Sequence, residues 1–459
     1  MQKQELRAAA SLAAVFSVRM LGLFMIYPVF AAFARSLAGA TPYKIGLALG
    51  IYGLTQGILQ MPFGVLSDRI GRKTVIIGGL ALFGLGSAVA ASSTSIDGVI
   101  WGRALQGACA VGSVILALIA DLTAEESRTA AMALAGMSIG FSFLVAIVTG
   151  PLVAGWVGLS GIFWLMVALA LAGIAITGLV VPTPARLRRH REAETVPTLL
   201  GATLRNAELL RLNFGIFALH AMLTASFLVV PSLLHGTLDI SSKDQWKVYL
   251  PVLLVSVAVM IPAIIVAERY RRMKAVLVGA VAALAVSQLM LAAEGRDVGV
   301  LIAAVTLFFA GFNIMEAALP SLVTKTAPSG ATGTATGLYS SAQFLGIFVG
   351  GVAGGWVHQA FGTPAVFFLS AAIALAWLLV AATMRRPSHL TTRVVRLGER
   401  SAADIDRLAA RLRQLPGVAE AVVIAEEGEA YLKVDARIFD RAQAESIARA
   451  SCEPAGEGV

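Results

Sequence analysis

The chain has 459 residues, 58% of them hydrophobic and only 14% charged. A soluble fold of this length could bury a large core, but it would still need a charged skin, and an average globular domain is about a quarter charged. The shortage leaves lipid as the solvent for much of the surface. A formal charge of +9 would suit a nucleic-acid binder if it formed one basic face. The Lys and Arg residues sit instead in short loops, as the positive-inside rule requires, so no nucleic-acid partner is expected. The two cysteines, Cys109 and Cys452, cannot build a disulfide framework, and no metal-ligand spacing or cofactor motif is present.

A membrane-spanning helix needs roughly 20 mostly apolar residues. After a short polar start with no small-residue cleavage site, taken as leading into a first span and not a signal peptide, the chain offers spans at 11–36, 44–66, 74–95, 98–121, 129–156 and 161–181. A polar linker, 183–210, carries Arg186, Arg188, Arg189 and Arg191. Six further spans follow at 211–235, 247–267, 275–293, 298–324, 333–357 and 363–384. With a cytoplasmic N-terminus, the inner loops hold Arg69, Arg72, Lys73, Arg128, the linker arginines, Arg269, Arg271, Arg272, Lys274, Lys325, Arg385 and Arg386. The outer loops hold only Arg35, Lys44, Lys243, Lys247 and Arg296. That asymmetry places both termini and the linker in the cytoplasm.

An offset of 200 residues aligns Pro62 with Pro262, Asp68 with Glu268, Arg69 with Arg269 and Arg72 with Arg272. The same offset aligns Gly150, Gly155 and Trp156 with Gly350, Gly355 and Trp356. The expected architecture is therefore an all-α membrane fold of twelve helices in two related six-helix halves, 1–182 and 211–386.

The loop between the second and third spans reads Gly64-Val65-Leu66-Ser67-Asp68-Arg69-Ile70-Gly71-Arg72-Lys73. A basic loop alone would not need Asp68 or the two glycines. The stretch resembles, at nearly every position, the loop signature of the major facilitator superfamily, G-x-L-x-D-R-x-G-R-K. Arg103-Ala104-Leu105-Gln106-Gly107 resembles that family's fourth-span element, and Gly150-Pro151-Leu152-Val153-Ala154-Gly155 its fifth-span antiporter element, with Ala154 in place of one glycine. A proline and glycines there also suit a purely structural kink. Three further segments, Phe16 to Gly22, Ile51 to Gln56 and Asn313 to Ala317, resemble proton-coupled exporters of the same family, and the likeness runs through the tail. The resemblance implies that Asp68 caps a neighbouring span and that Arg72 pairs with Asp121 at the end of the fourth. It further implies that Gly64, Asp68, Arg69, Gly71, Arg72, Lys73 and Asp121 form a latch between the halves in the outward-facing state. The second copy has Ile264 for Gly64 and Arg271 for Gly71, so one strong latch is expected.

A charge at the centre of a membrane helix costs about 2.5–3.5 kcal/mol on insertion scales, so intramembrane charges usually serve a function. The candidates are Arg19, Arg103, His220 and Glu316, with Asn313 nearby on the tenth span. Glu316 is the expected proton carrier, since a carboxyl in a low-dielectric cavity can load and release a proton near neutrality. The alternative is a static ion pair of Glu316 with Arg19 or Arg103. His220 could titrate near neutrality, but a lone His in a helix is more often a packing residue, and Gln343 reads either as a cavity group or as an interhelical hydrogen bond.

Past residue 386 the composition changes. Residues 391–452 follow a strand–helix–strand–strand–helix order, with Leu408, Leu412 and Leu415 on one helical face and Glu427-Gly428 at a hairpin turn. This is the pattern of a small ferredoxin-like α+β domain without a paired-cysteine metal site, and its self-association or regulatory role stays open. The expected function is proton-coupled efflux of small organic compounds from a bacterial inner membrane, by a monomeric core. Uptake by the same fold, or a membrane sensor using the tail, are the alternatives. No phosphate-binding G-x-x-x-x-G-K-[ST] motif is present, so ATP-driven pumping is not expected, and nor is enzymatic chemistry.

Overall fold

The computed structural model describes residues 3–183, 199–293, 297–328, 331–385, 390–397, 402–424, 428–435 and 437–450. Arg186, Arg188, Arg189 and Arg191 of the linker, and Arg296, Arg386, Glu427 and Cys452, lie outside the described residues.

In lipid no water is at hand for the backbone, so each apolar stretch closes its own hydrogen bonds as helix. The first half comprises α1 (Lys3–Met25), α2 (Phe30–Phe33), α3 (Pro42–Ile70), α4 (Arg72–Ser92), α5 (Ile96–Gly107), α6 (Gly112–Leu122) and α7 (Glu125–Leu179). A short α8 (Leu200–Arg205) leads to the second half: α9 (Ala207–Leu238), α10 (Trp246–Arg269), α11 (Met273–Ala292), α12 (Val298–Thr326), α13 (Thr332–Phe361) and α14 (Thr363–Thr383). Among the described residues, ten helical stretches are long and apolar enough to cross a membrane. One of them, 130–179, reverses at Gly158 (φ 68°, ψ −173°) and supplies the fifth and sixth spans. The second span is α3, a 29-residue helix outside those ten. Twelve spans in two halves result.

Departures from simple rods occur at three places. The first span breaks at residues 26–29, where Pro28 stands, before resuming as α2. The fourth breaks at residues 108–111, between α5 and α6. The fifth and sixth run on through Gly158, whose left-handed φ a side chain would resist. Elsewhere the helix ends follow ordinary capping. Thr41 accepts from the Lys44 amide at the start of α3, and Asn206 from the Glu208 and Leu209 amides at α9. Gly71 (φ 97°) stops α3.

One end of the bundle carries the chain's start and the turns at 71, 123–124, 270–272 and 384; the other carries those at 37–41, 93–95, 239–245 and 362. We call these the terminal and distal ends. The halves meet closely toward the distal end. A methyl group at Gly46 would come within 2.2 Å of the Gly351 carbonyl oxygen, and one at Gly53 within 2.3 Å of that of Phe344. Across the same seam Ser341 Oγ donates to the Gly57 carbonyl at 3.1 Å, and Arg35 Nη2 to Ser232 Oγ at 3.0 Å. Farther along α3, Gly64 instead faces Ser113 of its own half.

The 200-residue repeat is visible in this packing. Gly150 and Gly350 each lie against the backbone of the first span of their own half, Met25 and Ala221 respectively. Gly155 and Gly355 each reach across to the other half, touching Lys243 and Pro42. Lys73 Nζ donates to the Val181 carbonyl at 2.8 Å, closing the sixth span. Lys274 Nζ does the same at 2.8 Å to Ala382, at the end of the twelfth.

The tail forms β1 (Leu390–Arg396), α15 (Ala402–Arg413), β2 (Val418–Ile424), β3 (Glu429–Asp435) and α16 (Arg441–Ala450). Its antiparallel sheet has the order β1-β3-β2, with Val394 opposite Tyr431 and Ala421 opposite Leu432. Leu408, Leu412 and Leu415 pack on Ala421, Leu432 and Val434 in a separate small core. Gly428 takes φ 64° at the turn before β3.

Candidate functional site

The intramembrane polar groups fall into two clusters, one in each half. In the first, Arg19 on α1 is 1% exposed, and its Nη2 donates to Tyr52 Oη and Gln56 Oε1, both at 2.7 Å, and to the Cys109 carbonyl at 3.2 Å. That carbonyl lies in the break of the fourth span, where the helical ladder cannot use it. The guanidinium thus closes the negative end of a half-helix.

Arg103, also 1% exposed, donates to the Ala48 carbonyl at 3.2 Å, the Leu49 carbonyl at 3.4 Å and Gln106 Oε1 at 3.0 Å. Its guanidinium lies 5.0 Å from the centre of the Tyr52 ring. Gln106 passes the network on to Ser87 Oγ at 2.7 Å. Gly107 lets the fourth span touch the second, since a methyl there would meet the Tyr52 carbonyl at 2.2 Å. The spacing of Arg103, Gln106 and Gly107 therefore has a local physical reason. Among the described residues, neither Arg19 nor Arg103 pairs with a carboxylate.

The second cluster joins His220 on α9, Glu316 on α12 and Gln343 on α13, and Asn313 lies three residues before Glu316 on α12. His220 Nδ1 lies 3.3 Å from the Ile216 carbonyl and Nε2 2.8 Å from Gln343 Nε2. A neutral ring that donates from Nδ1 and accepts at Nε2 satisfies both contacts. Glu316 Oε2 stands 3.9 Å from His220 Nε2. It is a buried oxygen without a hydrogen-bond partner among the described residues, although the side chain as a whole is 40% exposed. The carboxyl therefore straddles the protein interior and an accessible space. Asn313 Nδ2 donates to Ser256 Oγ of α10 at 2.8 Å. The expected alternative, a static pair of Glu316 with Arg19 or Arg103, does not occur. The arginines are held by the first, second and fourth spans, and Glu316 by the tenth.

An aromatic bridge joins the halves beside this cluster. Phe143 of α7 stacks on Phe312 of α12 at 5.8 Å and meets Phe24 edge-on at 5.0 Å. Phe312 also lies 5.7 Å from the His220 ring. Sequence reasoning missed Phe143, Phe312, Ser256 and the double role of Tyr52. An aromatic or hydroxyl on an apolar helix carries no mark of which face it occupies.

At the terminal end the signature loop is built within the first half. Arg72, 2% exposed at its side chain, bonds through Nε to Asp121, whose side chain is wholly buried, and its Nη1 lies 3.2 Å from Asp68. Ser67 Oγ lies 3.5 Å from Arg72 Nη1. Arg69 is exposed, while Lys73 caps the sixth span as described. In the second half Glu268 pairs with Lys325 at 2.6 Å. Arg271 occupies the place of Gly71 with φ 54° and reaches Asp435 of the tail at 3.5 Å. Lys433 Nζ donates to the Lys325 carbonyl at 2.5 Å, so the tail rests on the second copy of the loop.

Known proteins resemble both the bundle and the tail. The family model described as Major Facilitator Superfamily matches residues 12–351 and 252–416, and that described as YajR YAM domain matches residues 395–450. The inner membrane transport protein YajR of Escherichia coli (strain K12) is 43% identical over 97% of this chain and 98% of its own length. A solved bacterial homologue of the human lysosomal transporter Spinster superposes with a TM-score of 0.68 at 12% identity, covering 83% of this chain and 96% of that one. The human organic anion transporter MFSD10 gives 0.59 at 18% identity, covering 83% and 100%.

Proposed function

The chain belongs to the Major Facilitator Superfamily of membrane transporters, and on that premise we propose that it is a proton-coupled exporter of small organic compounds in a bacterial inner membrane. The observation that carries the coupling is Glu316: a carboxyl with one unpartnered buried oxygen, 3.9 Å from His220, on a side chain still 40% exposed. A charged carboxylate resists enclosure in a low-dielectric seam, and a protonated one does not. Proton loading then allows the halves to close around Glu316, and release on the other side resets it. A proton falling through 100 mV supplies about 2.3 kcal/mol.

With both termini in the cytoplasm, as the loop charges favour, the distal end is periplasmic and the seam closes on that side. The conformation described is then inward-facing. In the opposite state the Asp68–Arg72–Asp121 cluster serves as the cytoplasmic latch. Gly150 and Pro151 lie within the fifth span, and Gly155 meets Lys243 of the other half at the closed distal end. The resemblance of this element to the antiporter signature favours export. The Phe24, Phe143 and Phe312 surface suits an apolar or aromatic substrate beside the proton site.

The test is reconstitution in vesicles with an imposed pH gradient and a panel of aromatic and aliphatic solutes. Counterflow of solute and protons supports antiport. Solute movement that neither follows nor dissipates the gradient overturns it, and parallel movement identifies uptake.

A further inference from the structure

At the distal end a cavity of about 230 Å³ opens between the halves. Its walls include Arg35, Thr41 and Pro42 of the first half and Leu228 and His358 of the second. Among the described residues, no acidic side chain lines it. Lys44 is neutralised by Asp97 at 2.8 Å and Lys247 by Asp244 at 2.9 Å. Among the described residues, Arg35 and Lys243 are the cations of this end without a carboxylate partner, and of the two Arg35 lines the cavity. Its Nη2 bond goes to a neutral hydroxyl, Ser232 Oγ at 3.0 Å, across the seam. His358 contributes a second nitrogen-bearing group, an imidazole whose Nδ1 is buried without a hydrogen-bond partner among the described residues. The amino end of α3, a helix of 29 residues capped by Thr41, adds its positive pole to the same wall.

We propose that this cavity is a binding site for a small anion, a halide or an oxyanion, held between Arg35 and His358 and present only while the distal end is closed. The cavity is large enough for such an ion and some of its water. A guanidinium with spare N–H groups and an imidazole nitrogen are suitable donors to it. Because one wall comes from each half, opening the distal end dismantles the site. An anion that binds the closed form alone must shift the carrier toward that form. The site is separate from Glu316, and it stands whether or not transport is proton-coupled. A free ion and the headgroup of an anionic lipid share the chemistry, and experiment distinguishes them.

The test uses the full-length protein in nanodiscs of neutral lipid, spin-labelled through S36C and G236C at exposed distal positions of the two halves. Chloride, acetate or inorganic phosphate is titrated against gluconate at matched ionic strength, and the fraction with the short distal distance is read. At ten times the dissociation constant the closed-to-open ratio rises about 11-fold. R35Q abolishes the response, H358N weakens it and R35K retains part of it. If R35Q fails to fold, H358N and R35K carry the comparison. Nanodiscs containing phosphatidylglycerol form the second arm. Closure there without a response to free ions assigns the site to a lipid headgroup. An unchanged response in both R35Q and H358N, equal closure by gluconate, or no response in either arm overturns the proposal.

Discussion

His220 and Glu316, on the seventh and tenth spans, face each other at 3.9 Å without a hydrogen bond between them, while Gln343 holds the histidine ring at 2.8 Å. The pair is close enough to exchange influence but is not locked. A carboxyl that must load and release a proton cannot be bound tightly in either state. Glu316→Gln fixes the neutral form. It is expected to remove proton-driven transport while leaving solute exchange across equal pH within about threefold, roughly 0.65 kcal/mol. His220→Asn keeps a polar side chain beside Gln343 and should lower the rate without abolishing coupling. Proton flux and solute flux in the same vesicles separate the two outcomes.

The seam offers a steric prediction. A methyl at Gly46 meets the Gly351 carbonyl at 2.2 Å and one at Gly351 meets the Gly46 carbonyl at 2.4 Å, in both cases backbone that cannot yield without parting the helices. Gly46→Val or Gly351→Val should therefore hold the distal end open and stop turnover. Gly78→Ala is the control, as a methyl there meets nothing within 4 Å. Distances between labels on the two halves, with and without a substrate gradient, report the trapped state.

Much of this was legible in the sequence because lipid imposes a strong pattern. Length of apolar run gave the spans, and the alignment of Gly155 with Gly355 anticipated two faces that turn out to do the same job in opposite directions. The breaks at Pro28 and Gly158 fall on residues that suit them. That of the fourth span, 108–111, holds no proline or glycine of its own between Gly107 and Gly112, and Arg19 on another span takes up the Cys109 carbonyl it leaves free. Nor could a single chain show that Arg19 and Arg103 share Tyr52 while Glu316 sits with His220. Those pairings depend on helix rotation, which hydropathy leaves undefined. The tail was readable as elements, but its seat on Lys325 and Arg271 required the fold.

The Tyr52 arrangement can be divided by mutation. Tyr52→Phe removes the hydroxyl that accepts from Arg19 and leaves the ring beneath Arg103. A hydrogen bond to a charged group contributes about 1.5–3 kcal/mol. Thermal unfolding in detergent should fall accordingly. Tyr52→Leu also removes the ring face and should lower stability further, by about 0.5–2 kcal/mol. Equal stability of the two variants would show that the cation–π contact contributes nothing.

Arg72 and Asp121 form a nearly solvent-free ion pair, and removing one partner strands the other. Arg72→Ala or Asp121→Asn should each cost about 3–5 kcal/mol of stability. Arg72→Lys is not a conservative rescue, because a point charge cannot serve both Asp121 and Asp68 with a planar fork. Arg69→Gln, at an exposed position, should leave the unfolding midpoint nearly unchanged. The latch reading adds a second expectation. The Asp68→Asn variant should shift the resting carrier further toward the distal-closed state, visible in the same distance measurement.

The contact of the tail with the second loop predicts a pH response. Asp435 is held below the usual carboxylate range, first by the Arg437 amide at 3.1 Å and then by the Arg271 guanidinium. A depressed carboxyl contributes to docking above its undocked value, and the contribution is lost as pH falls through the docked one. The Arg437 amide stays bonded in the undocked tail, so only the Arg271 share is linked to docking. Docking should thus be steady from pH 7 to about 5 and weaken only below the ordinary aspartate value of about 4. Asp435→Asn removes that acid dependence. Arg271→Gly cuts both ways, losing the ion pair while relieving a left-handed residue that costs roughly 1–2 kcal/mol. Hydrogen exchange at β3 and at the loop around residue 271 measures both effects. Asp435→Asn should speed exchange at the two sites together, whereas Arg271→Gly should speed it at β3 and slow it in the loop.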